Sequence, residues 1–459
     1  MTQRSMIRNL TEGPVVPLLL RFAFPLFLSN ALQAVYNLVD LIVVGNYIGG
    51  AGMSAVSIGG DILHLLTFIA MGFSSAGQVI IARAVGAGKK EEIKKTIGAL
   101  FSFLLSAALL IALLCFLLRH HILRWLNTPP EALSYALDYT VTCAAGLVFI
   151  YGYNVVSAIL RGMGDSKRPF VIIAIAAILN MILDVLFVKH LGMAVFGAAL
   201  ATVIAQGTSF ATAILYLYRQ RESFGFDFKP ASFRIEGATF RRLLGLGIPM
   251  AIQSAAISFS KIVLLSWINR FGVEYSALAG VFNKINTMSG VISQSFTTAG
   301  SSMTGQNLGA RKYKRVTQIL LTVLGFGLGF ATLASLLMWL APDFVYGLFT
   351  EDAAVLSLAP VLTLPIILNF FGAATRSASF SLINGSGKPG LNLAIAIIDG
   401  VFARIGLAAL FGFSLGLGCY GFWLGDSLAG FMPLVIGGSF YLSGRWKASK
   451  EESHDSQKK

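Results

Sequence analysis

The sequence consists of two similar hydrophobic halves that are offset by about 223 residues. Three short motifs occur in the same order in each half. They are Pro25 (RFAFPLF) with Pro249 (LGLGIPM), GAGKK at 86–90 with GARKY at 309–313, and RGMGDSKRP from Arg161 with NGSGKP from Asn384. Membrane bundles built from repeats hold substrates and coupling ions at or near the repeat interface, and move one bundle against the other. The repeat therefore favours a transporter.

The composition places this chain in a lipid bilayer. Hydrophobic residues make up 56% and charged residues 12% of the sequence. The apolar residues come in runs of about 20 or more, which is the length that crosses a bilayer as a helix. We therefore predict an all-α integral membrane protein with twelve transmembrane helices in two pseudo-symmetric six-helix lobes. The helices are expected at roughly 14–45, 53–82, 96–118, 133–160, 169–188, 193–218, 243–269, 276–305, 316–341, 357–383, 390–412 and 416–443.

The same runs predict the domain boundaries. Residues 1–218 form the N-terminal lobe, 219–242 a cytoplasmic loop between the lobes, 243–443 the C-terminal lobe and 444–459 a cytoplasmic tail. The tail from Ser449 to Lys459 is charged and aperiodic, so we expect it to be disordered. The first apolar run is too long for a signal peptide, and we expect it to remain as a membrane helix.

The net charge of +14 is distributed as in a membrane protein rather than as in a nucleic-acid-binding protein. With the N-terminus taken as cytoplasmic, 26 Lys and Arg residues fall in inner segments and four fall in outer loops. Cytoplasmic loops carry such an excess of basic residues. We therefore expect a bacterial or archaeal inner membrane protein with both termini cytoplasmic, anionic lipids as partners and no nucleic acid.

Several other site types have no support in the sequence. Cys115, Cys143 and Cys419 fall within predicted helices without CxxC spacing, which indicates buried, unpaired thiols. The histidines form no ligand cluster. The segment GSGKP at 385–389 lacks the first glycine and the hydroxyl residue of a phosphate-binding loop, so it reads as a tight inner loop. We therefore expect no cofactor and no direct use of ATP.

Polar side chains inside the apolar helices are the candidate functional residues, because each must be satisfied within the bundle or face water. In the first helix such residues fall at i, i+3, i+4 and i+7 and form one stripe, and they are Gln33, Tyr36, Asn37 and Asp40. Asn180 and Asp184 in the fifth helix lie one turn apart on one face. Two buried carboxylates suit ion coupling, because a proton or Na⁺ restores charge balance. The alternative for Asp184 is an interfacial position beside Lys189.

These features together resemble the multidrug and toxin extrusion (MATE) family, and the resemblance covers the chain from about Leu18 to Leu442. It is carried by the doubled frame, the proline in the first helix, the GAGKK and GARKY loops, and NMILDVLFV at 180–188. The prokaryotic DinF-like branch is the most similar. By that resemblance the proton or Na⁺ site comprises Asp40, Asn180, Asp184 and Thr202. The outer-shell polar residues comprise Tyr139 and Asn154, together with the stripe residues Tyr36, Asn37 and Gln33.

The second half departs from another branch of the family, which couples through acidic residues in the C-terminal lobe. The seventh helix here carries Lys261, and the tenth carries Arg376 but no acid. A second coupling site is therefore not expected, and whether Lys261 and Arg376 bind substrate is left open.

The resulting functional hypothesis is a proton- or sodium-coupled antiporter. It exports amphipathic organic cations by alternating access, and Pro25 is the hinge of the first helix because it lacks a backbone hydrogen bond. We expect a monomer. The alternatives are a flippase for a lipid-linked sugar or phospholipid, which the basic residues Lys261, Arg376 and Arg404 would favour, and a membrane receptor or channel. A membrane enzyme has less support, because no nucleophile or metal cluster lies at an interfacial loop.

The repeat frame also pairs residues between the halves. Asp184 aligns with Arg404 and Thr202 with Asp426, so we expect Arg404 and Asp426 to form a buried, structural ion pair. Asp61 aligns with Lys284, and the two are predicted to form a gate at the outer mouth. The alternative is that Asp61 pairs with His64 and Lys284 extends to the interface.

Overall fold

The structure is a computed structural model that describes residues 7–447. The predicted disordered tail, Ser449–Lys459, lies outside these residues. Within the described part the chain forms helices joined by turns, without a β-strand. This agrees with the predicted all-α class.

The first half contains seven long or medium helices and one short helix, with one π-helical turn. They are α1 (Val15–Ile48), α2 (Gly50–Gly86), α3 (Lys90–Trp125), α4 (Pro130–Ala145), α5 (Leu147–Gly162), α6 (Lys167–Asp184), the π-helical turn Val185–His190, α7 (Ala194–Arg219) and α8 (Arg221–Phe224).

The second half repeats this order with more interruptions. It comprises α9 (Gly237–Ile268), α10 (Val273–Gly309), α11 (Tyr313–Leu340), α12 (Pro342–Gly347), α13 (Ala353–Leu358), α14 (Thr363–Ser386), α15 (Pro389–Ile397), α16 (Arg404–Ala409), α17 (Gly418–Ala429) and α18 (Met432–Leu442). Short 3-10 turns occupy Pro230–Phe233, Asn269–Phe271 and Ala359–Leu362, and π-helical turns occupy Ile398–Ala403 and Leu410–Ser414.

The membrane-spanning character of these helices follows from their length and composition. Among the described residues, ten helical segments are long and apolar enough to cross a membrane. The pair α4 and α5 forms an eleventh span that bends by 46°. The remaining predicted segment is α10, which has 37 residues but is more polar than the others. The predicted helix at 133–160 is therefore two helices, because the chain breaks at Gly146.

The π-helical turns flank the charged residues of the fifth predicted segment in each half. Val185–His190 follows Asp184 directly, and Ile398–Ala403 ends just before Arg404. Because a π-helical turn inserts an extra residue into the helical repeat, it changes which side chains share a face. The alignment of polar residues around these turns therefore cannot be read from a simple helical period.

The chain divides into two compact units. The first contains Phe24–Ile248 together with the chain up to Asn9, and the second contains Leu10–Ala23 together with the chain from Pro249 onward. Helices α1 and α9 thus each contribute to both units, and each changes unit within two residues of its internal proline, Pro25 or Pro249. The predicted boundaries assigned all of the first helix to the first lobe.

The predicted loop 219–242 is a packed segment of the first unit. The rings of Phe226 and Phe233 contact each other edge to face at a centroid distance of 5.4 Å, and Phe233 also packs on Phe101 of α3. The Ser102 hydroxyl donates a hydrogen bond to the Phe233 carbonyl oxygen. Lys95 forms an ion pair of 2.9 Å with Glu236. Helix α3 therefore anchors the connection.

Helices α16 and α17 of the second unit pack with their backbones in close contact. A methyl group at Gly425 of α17 would collide with the backbone nitrogen of Ala408. One turn earlier, a methyl group at Gly421 would meet the backbone at Gly412. Small residues at such spacing allow membrane helices to approach closely. This contact holds Asp426 of α17 next to Arg404 of α16.

We predict that Gly425→Ala destabilises the second unit by about 1 to 3 kcal/mol, the usual cost of overpacking a core. The matched control is Gly406→Ala on α16, where an added methyl group meets nothing within 4 Å. Thermal unfolding of the purified variants in detergent measures the difference. Equal unfolding temperatures for the two variants would contradict the close packing of α16 and α17.

Candidate functional site

The carboxyl groups of Asp40 and Asp184 meet in the interior of the first unit. Helix α1 carries Asp40 on its buried face, and Asp184 is the last residue of α6. Asp184 is fully buried, and Asp40 retains 4% of its surface. The two carboxyl groups lie within hydrogen-bonding range of each other. Two acidic side chains from distant helices therefore face each other in the protein interior.

Thr202 and Asn180 complete this cluster. The Thr202 hydroxyl lies within hydrogen-bonding range of Asp40, and it also donates to the Ala198 carbonyl oxygen at 3.1 Å. The Asn180 amide donates to the Thr202 hydroxyl oxygen at 3.5 Å. Both residues are buried. The structure thus brings together the four predicted residues, which we call the carboxylate cluster: Asp40, Asn180, Asp184 and Thr202.

The carboxylate cluster holds more acceptor oxygens than donors. Within residues 7–447 no hydrogen-bond donor reaches either Asp184 carboxyl oxygen, Oδ1 of Asp40 or Oδ1 of Asn180. Asp40 and Asp184 also form no ion pair with a described Lys, Arg or His. Lys189, the alternative partner of Asp184, instead lies over the Tyr47 ring at 5.7 Å. Four buried oxygens of the carboxylate cluster therefore have neither a hydrogen-bond donor nor an ion-pair partner among the described residues.

Aromatic hydroxyl groups surround the carboxylate cluster. Tyr139 on α4 is buried and interacts electrostatically with both Asp40 and Asp184. Gly59 on α2 makes room for its ring, since a methyl group there would collide with it. Tyr36 interacts electrostatically with Asp40, and its hydroxyl lies near the Gln206 side chain. These contacts place the predicted residues Tyr139 and Tyr36 next to the carboxylates.

Gln206 was not predicted, although the sequence contains a signal for it. It follows Thr202 by four residues in the apolar helix α7, so the two side chains lie on one face. Tyr153 is a second addition, because it interacts with Tyr36. Its hydroxyl donates to the Pro169 carbonyl oxygen at 3.0 Å.

Three predicted outer-shell residues have no described contact with the carboxylate cluster. Asn154 donates to the Ile150 carbonyl oxygen of its own helix at 2.8 Å. Gln33 is half-buried and Asn37 is exposed within the first unit. The polar stripe of α1 therefore reaches the cluster through Tyr36 and Asp40.

A second charged cluster lies in the second unit. The Arg404 guanidinium forms an ion pair with Asp426, as the repeat frame predicts, and donates to Asp399 Oδ1 at 3.1 Å. Arg404 is almost completely buried, as are both carboxylates. Asp399 was not predicted, because residues five apart do not share a face of an α-helix. The π-helical turn Ile398–Ala403 brings it to Arg404.

The predicted gate residues lie in different units. Asp61 on α2 and Lys284 on α10 are both exposed, and neither forms an ion pair within the described part of its own unit. His64, the alternative partner of Asp61, packs against the Phe68 ring at a centroid distance of 4.7 Å. The gate remains a prediction.

Comparison with known proteins identifies the family. Residues 25–186 match the MatE family, and residues 249–410 match it a second time. The chain belongs to the MatE family. Both matches begin at the internal prolines Pro25 and Pro249, so the family unit is the repeat seen in the sequence. MatE proteins are transporters rather than enzymes, and the chain is therefore a multi-pass membrane protein.

Individual relatives agree with this assignment. The chain is 26% identical to the probable multidrug resistance protein YpnP of Bacillus subtilis, over 96% of this chain and 98% of that protein. It is 23% identical to the FAD transporter of Shewanella oneidensis, over 88% of this chain and 89% of that protein. A crystal structure of MATE in the bent conformation has a TM-score of 0.86 at 23% identity and covers 96% of this chain and 97% of that one. This likeness confirms the predicted two-lobe fold.

We predict that Arg404→Met destabilises the second unit by about 3 to 5 kcal/mol, because it removes the direct ion-pair partner of two buried carboxylates. The control is Arg270→Met, which removes an exposed arginine of the same unit and should change stability by about 0.5 kcal/mol or less. Thermal unfolding in detergent compares the two. Equal stability of the variants would contradict a structural role for the pair with Asp426.

Proposed function

We propose that this MatE protein is a cation-coupled multidrug efflux antiporter, and that the carboxylate cluster of the first unit binds the coupling ion. The observation that carries the proposal is the direct approach of the Asp40 and Asp184 carboxyl groups in a buried position without a basic partner. The names of relatives such as YpnP, a probable multidrug resistance protein, support export of drugs.

The electrostatics of the cluster require a positive ion. Two carboxylates at hydrogen-bonding distance cannot both be ionised in a buried site unless a cation lies between or beside them. A proton shared by the pair satisfies this requirement, as in other paired carboxylates. A bound Na⁺ satisfies it too. The charge of the carboxylate cluster therefore changes by one for each ion that binds or leaves.

The oxygens around the pair suit either ion. A sodium ion needs neutral oxygen ligands beside the carboxylates, and Asn180 Oδ1 and the Thr202 hydroxyl supply them. A proton needs only Asp40 and Asp184. The described residues contain no group of three or more His, Cys, Asp or Glu side chains that could hold a metal ion, so a sodium site would depend on Asn180 and Thr202.

The ion would drive export by competing with the substrate. An organic cation is attracted to the ionised pair, and entry of a proton or Na⁺ removes that attraction. The membrane potential adds about 2.3 kcal/mol per charge per 100 mV, so one or two ions suffice for useful accumulation. Amphipathic cations would also gain contacts with aromatic rings such as those of Tyr36 and Tyr139.

Pro25 is the proposed hinge of α1. Proline has no backbone N–H, so the Arg21 carbonyl lacks its helical donor, and the Ser29 hydroxyl donates to the Pro25 carbonyl oxygen at 2.8 Å. The unit boundary falls between Ala23 and Phe24, next to this weak point. Movement at Pro25 would link ion binding at Asp40 to alternating access.

Pro25→Ala should slow transport without lowering stability, and unchanged transport rates would argue against the hinge.

The distribution of basic residues supports an orientation with both termini in the cytoplasm of a bacterial or archaeal cell. Anionic lipids would contact the inner loops, and we propose that the protein acts as a monomer. The flippase alternative rests on Lys261, Arg376 and Arg404. Because two carboxylates take up the charge of Arg404, only the other two remain to favour an anionic substrate.

We predict that Asp40→Asn and Asp184→Asn each abolish ion-driven ethidium transport in inverted membrane vesicles. Each change removes the charge while conserving the shape of the side chain. Dissipating the proton and sodium gradients separately in the wild type identifies the ion, since transport should stop with only one of them.

The matched control is Asp138→Asn, which neutralises an exposed carboxylate on α4 of the same unit. It should transport at the wild-type rate. Normal transport by Asp40→Asn or Asp184→Asn at normal membrane levels would overturn the assignment of the coupling site.

A further inference from the structure

In the second unit, one group of interacting charged side chains carries more positive than negative charge. Five charged side chains interact there, which we call the basic cluster: Lys261, Arg376, Asp399, Arg404 and Asp426. Three cations and two carboxylates leave one positive charge. Both carboxylates are already engaged by Arg404. The excess charge therefore belongs to Lys261 and Arg376.

Lys261 and Arg376 have no direct partner among the described residues. Neither forms a hydrogen bond or an ion pair in that part of the chain, and the Arg376 Nε is buried without an acceptor. Lys261 interacts electrostatically with Asp426, but it is repelled by Arg404 and Arg376. An uncompensated charge inside a membrane protein is costly and marks a functional site by default.

The surroundings of Lys261 indicate that it faces a polar space rather than lipid. It lies on α9 at i+3 from Ser258 and i+7 from Ser254, so the three side chains form one stripe. The most exposed apolar side chains of this helix, Phe259 and Ile262, lie on another face. Lys261 is exposed within its unit, and thus a ligand can reach its ammonium group.

The Arg376 guanidinium lies against Gly430, where α17 has ended and α18 has not begun. The carbonyl end of α17 offsets part of its charge, but no described carbonyl oxygen accepts a hydrogen bond from it. A guanidinium offers a planar pair of donors that matches a carboxylate or a phosphate. An oxyanion between Arg376 and Lys261 would receive two charge-assisted contacts and neutralise the basic cluster.

We propose that Lys261 and Arg376 form a binding subsite for an oxyanion group, a carboxylate or a phosphate, so that substrates carrying both a cationic and an anionic group are preferred to purely cationic ones. This extends the proposed transport function by naming a second chemical group of the substrate. In the repeat frame Lys261 aligns with Asn37, a member of the polar stripe of the first half.

A matched pair of dyes tests the subsite. Rhodamine 19 carries a free carboxylate on a planar cation, and rhodamine 6G is its ethyl ester. We expect the full-length protein in maltoside detergent to bind the acid roughly tenfold more tightly than the ester, as expected for a charge-assisted hydrogen bond. Fluorescence polarisation measures both dissociation constants. The preference should fall to about one in Lys261→Gln and in Arg376→Gln, while affinity for the ester stays within about twofold.

Three controls make the result interpretable. Arg270→Gln removes an exposed cation of the same unit and should retain the preference. Lys261→Arg and Arg376→Lys keep the positive charge and should retain most of the preference for the acid dye. A loss of preference in the glutamine variants is then due to the missing charge rather than to misfolding. Binding is measured at equilibrium without an ion gradient, so failure of the coupling proposal would not affect the outcome.

Added phosphatidylglycerol distinguishes the two sources of an oxyanion. If a lipid phosphate occupies the subsite, the lipid should abolish the preference for the acid in the wild type. If the substrate carboxylate occupies it, the preference should persist. Equal binding of the two dyes by the wild type in detergent, or a preference that both glutamine variants retain, would overturn the proposal.

Discussion

The arrangement of the first unit depends on one electrostatic constraint, which is that two carboxyl groups share a buried position and no basic side chain among residues 7–447 pairs with them. Asp40 and Asp184 come from helices α1 and α6, and Thr202 of α7 touches the first of them. Burial without a fixed counter-charge is costly, and we propose that a mobile cation offsets this cost. Tyr36 and Tyr139 interact with the carboxylates from neighbouring positions.

The second unit also buries a group of charged side chains, but the central one, Arg404, is positive. In the predicted repeat frame Arg404 aligns with Asp184, and Asp426 aligns with Thr202. Here the counter-charge is permanent, because Arg404 binds both Asp426 and Asp399. A fixed ion triad has no use for a mobile cation. The two halves thus differ: the first holds paired carboxylates without a fixed counter-charge, and the second holds an arginine bound to two carboxylates.

The sequence predicted the all-helical fold and the candidate residues Asp40, Asn180 and Asp184 because their signals are local or repeated, whereas Thr202 came from the family resemblance. A carboxylate in an apolar helix must be satisfied within the bundle or face water, so its position is strongly restricted. The repeat indicates the order of the elements. Asp399 could not be predicted, because a π-helical turn changes which residues share a face. The break at Gly146 was also missed, since the apolar run continues through it. The division of α1 at Ala23 depends on contacts between distant segments, which no local pattern records.

The central claim is that the Asp40 and Asp184 pair holds a single positive ion between two carboxyl groups. Infrared difference spectroscopy of the purified protein in sodium-free buffer measures this directly, because a protonated carboxyl group absorbs apart from a carboxylate. The account predicts a protonated-carboxyl band at neutral pH that disappears on alkalinisation, or on saturation with Na⁺ where Na⁺ is the coupling ion, and that is lost from Asp184→Asn. Two fully ionised carboxylates at neutral pH, with no such band and no bound cation, would contradict it.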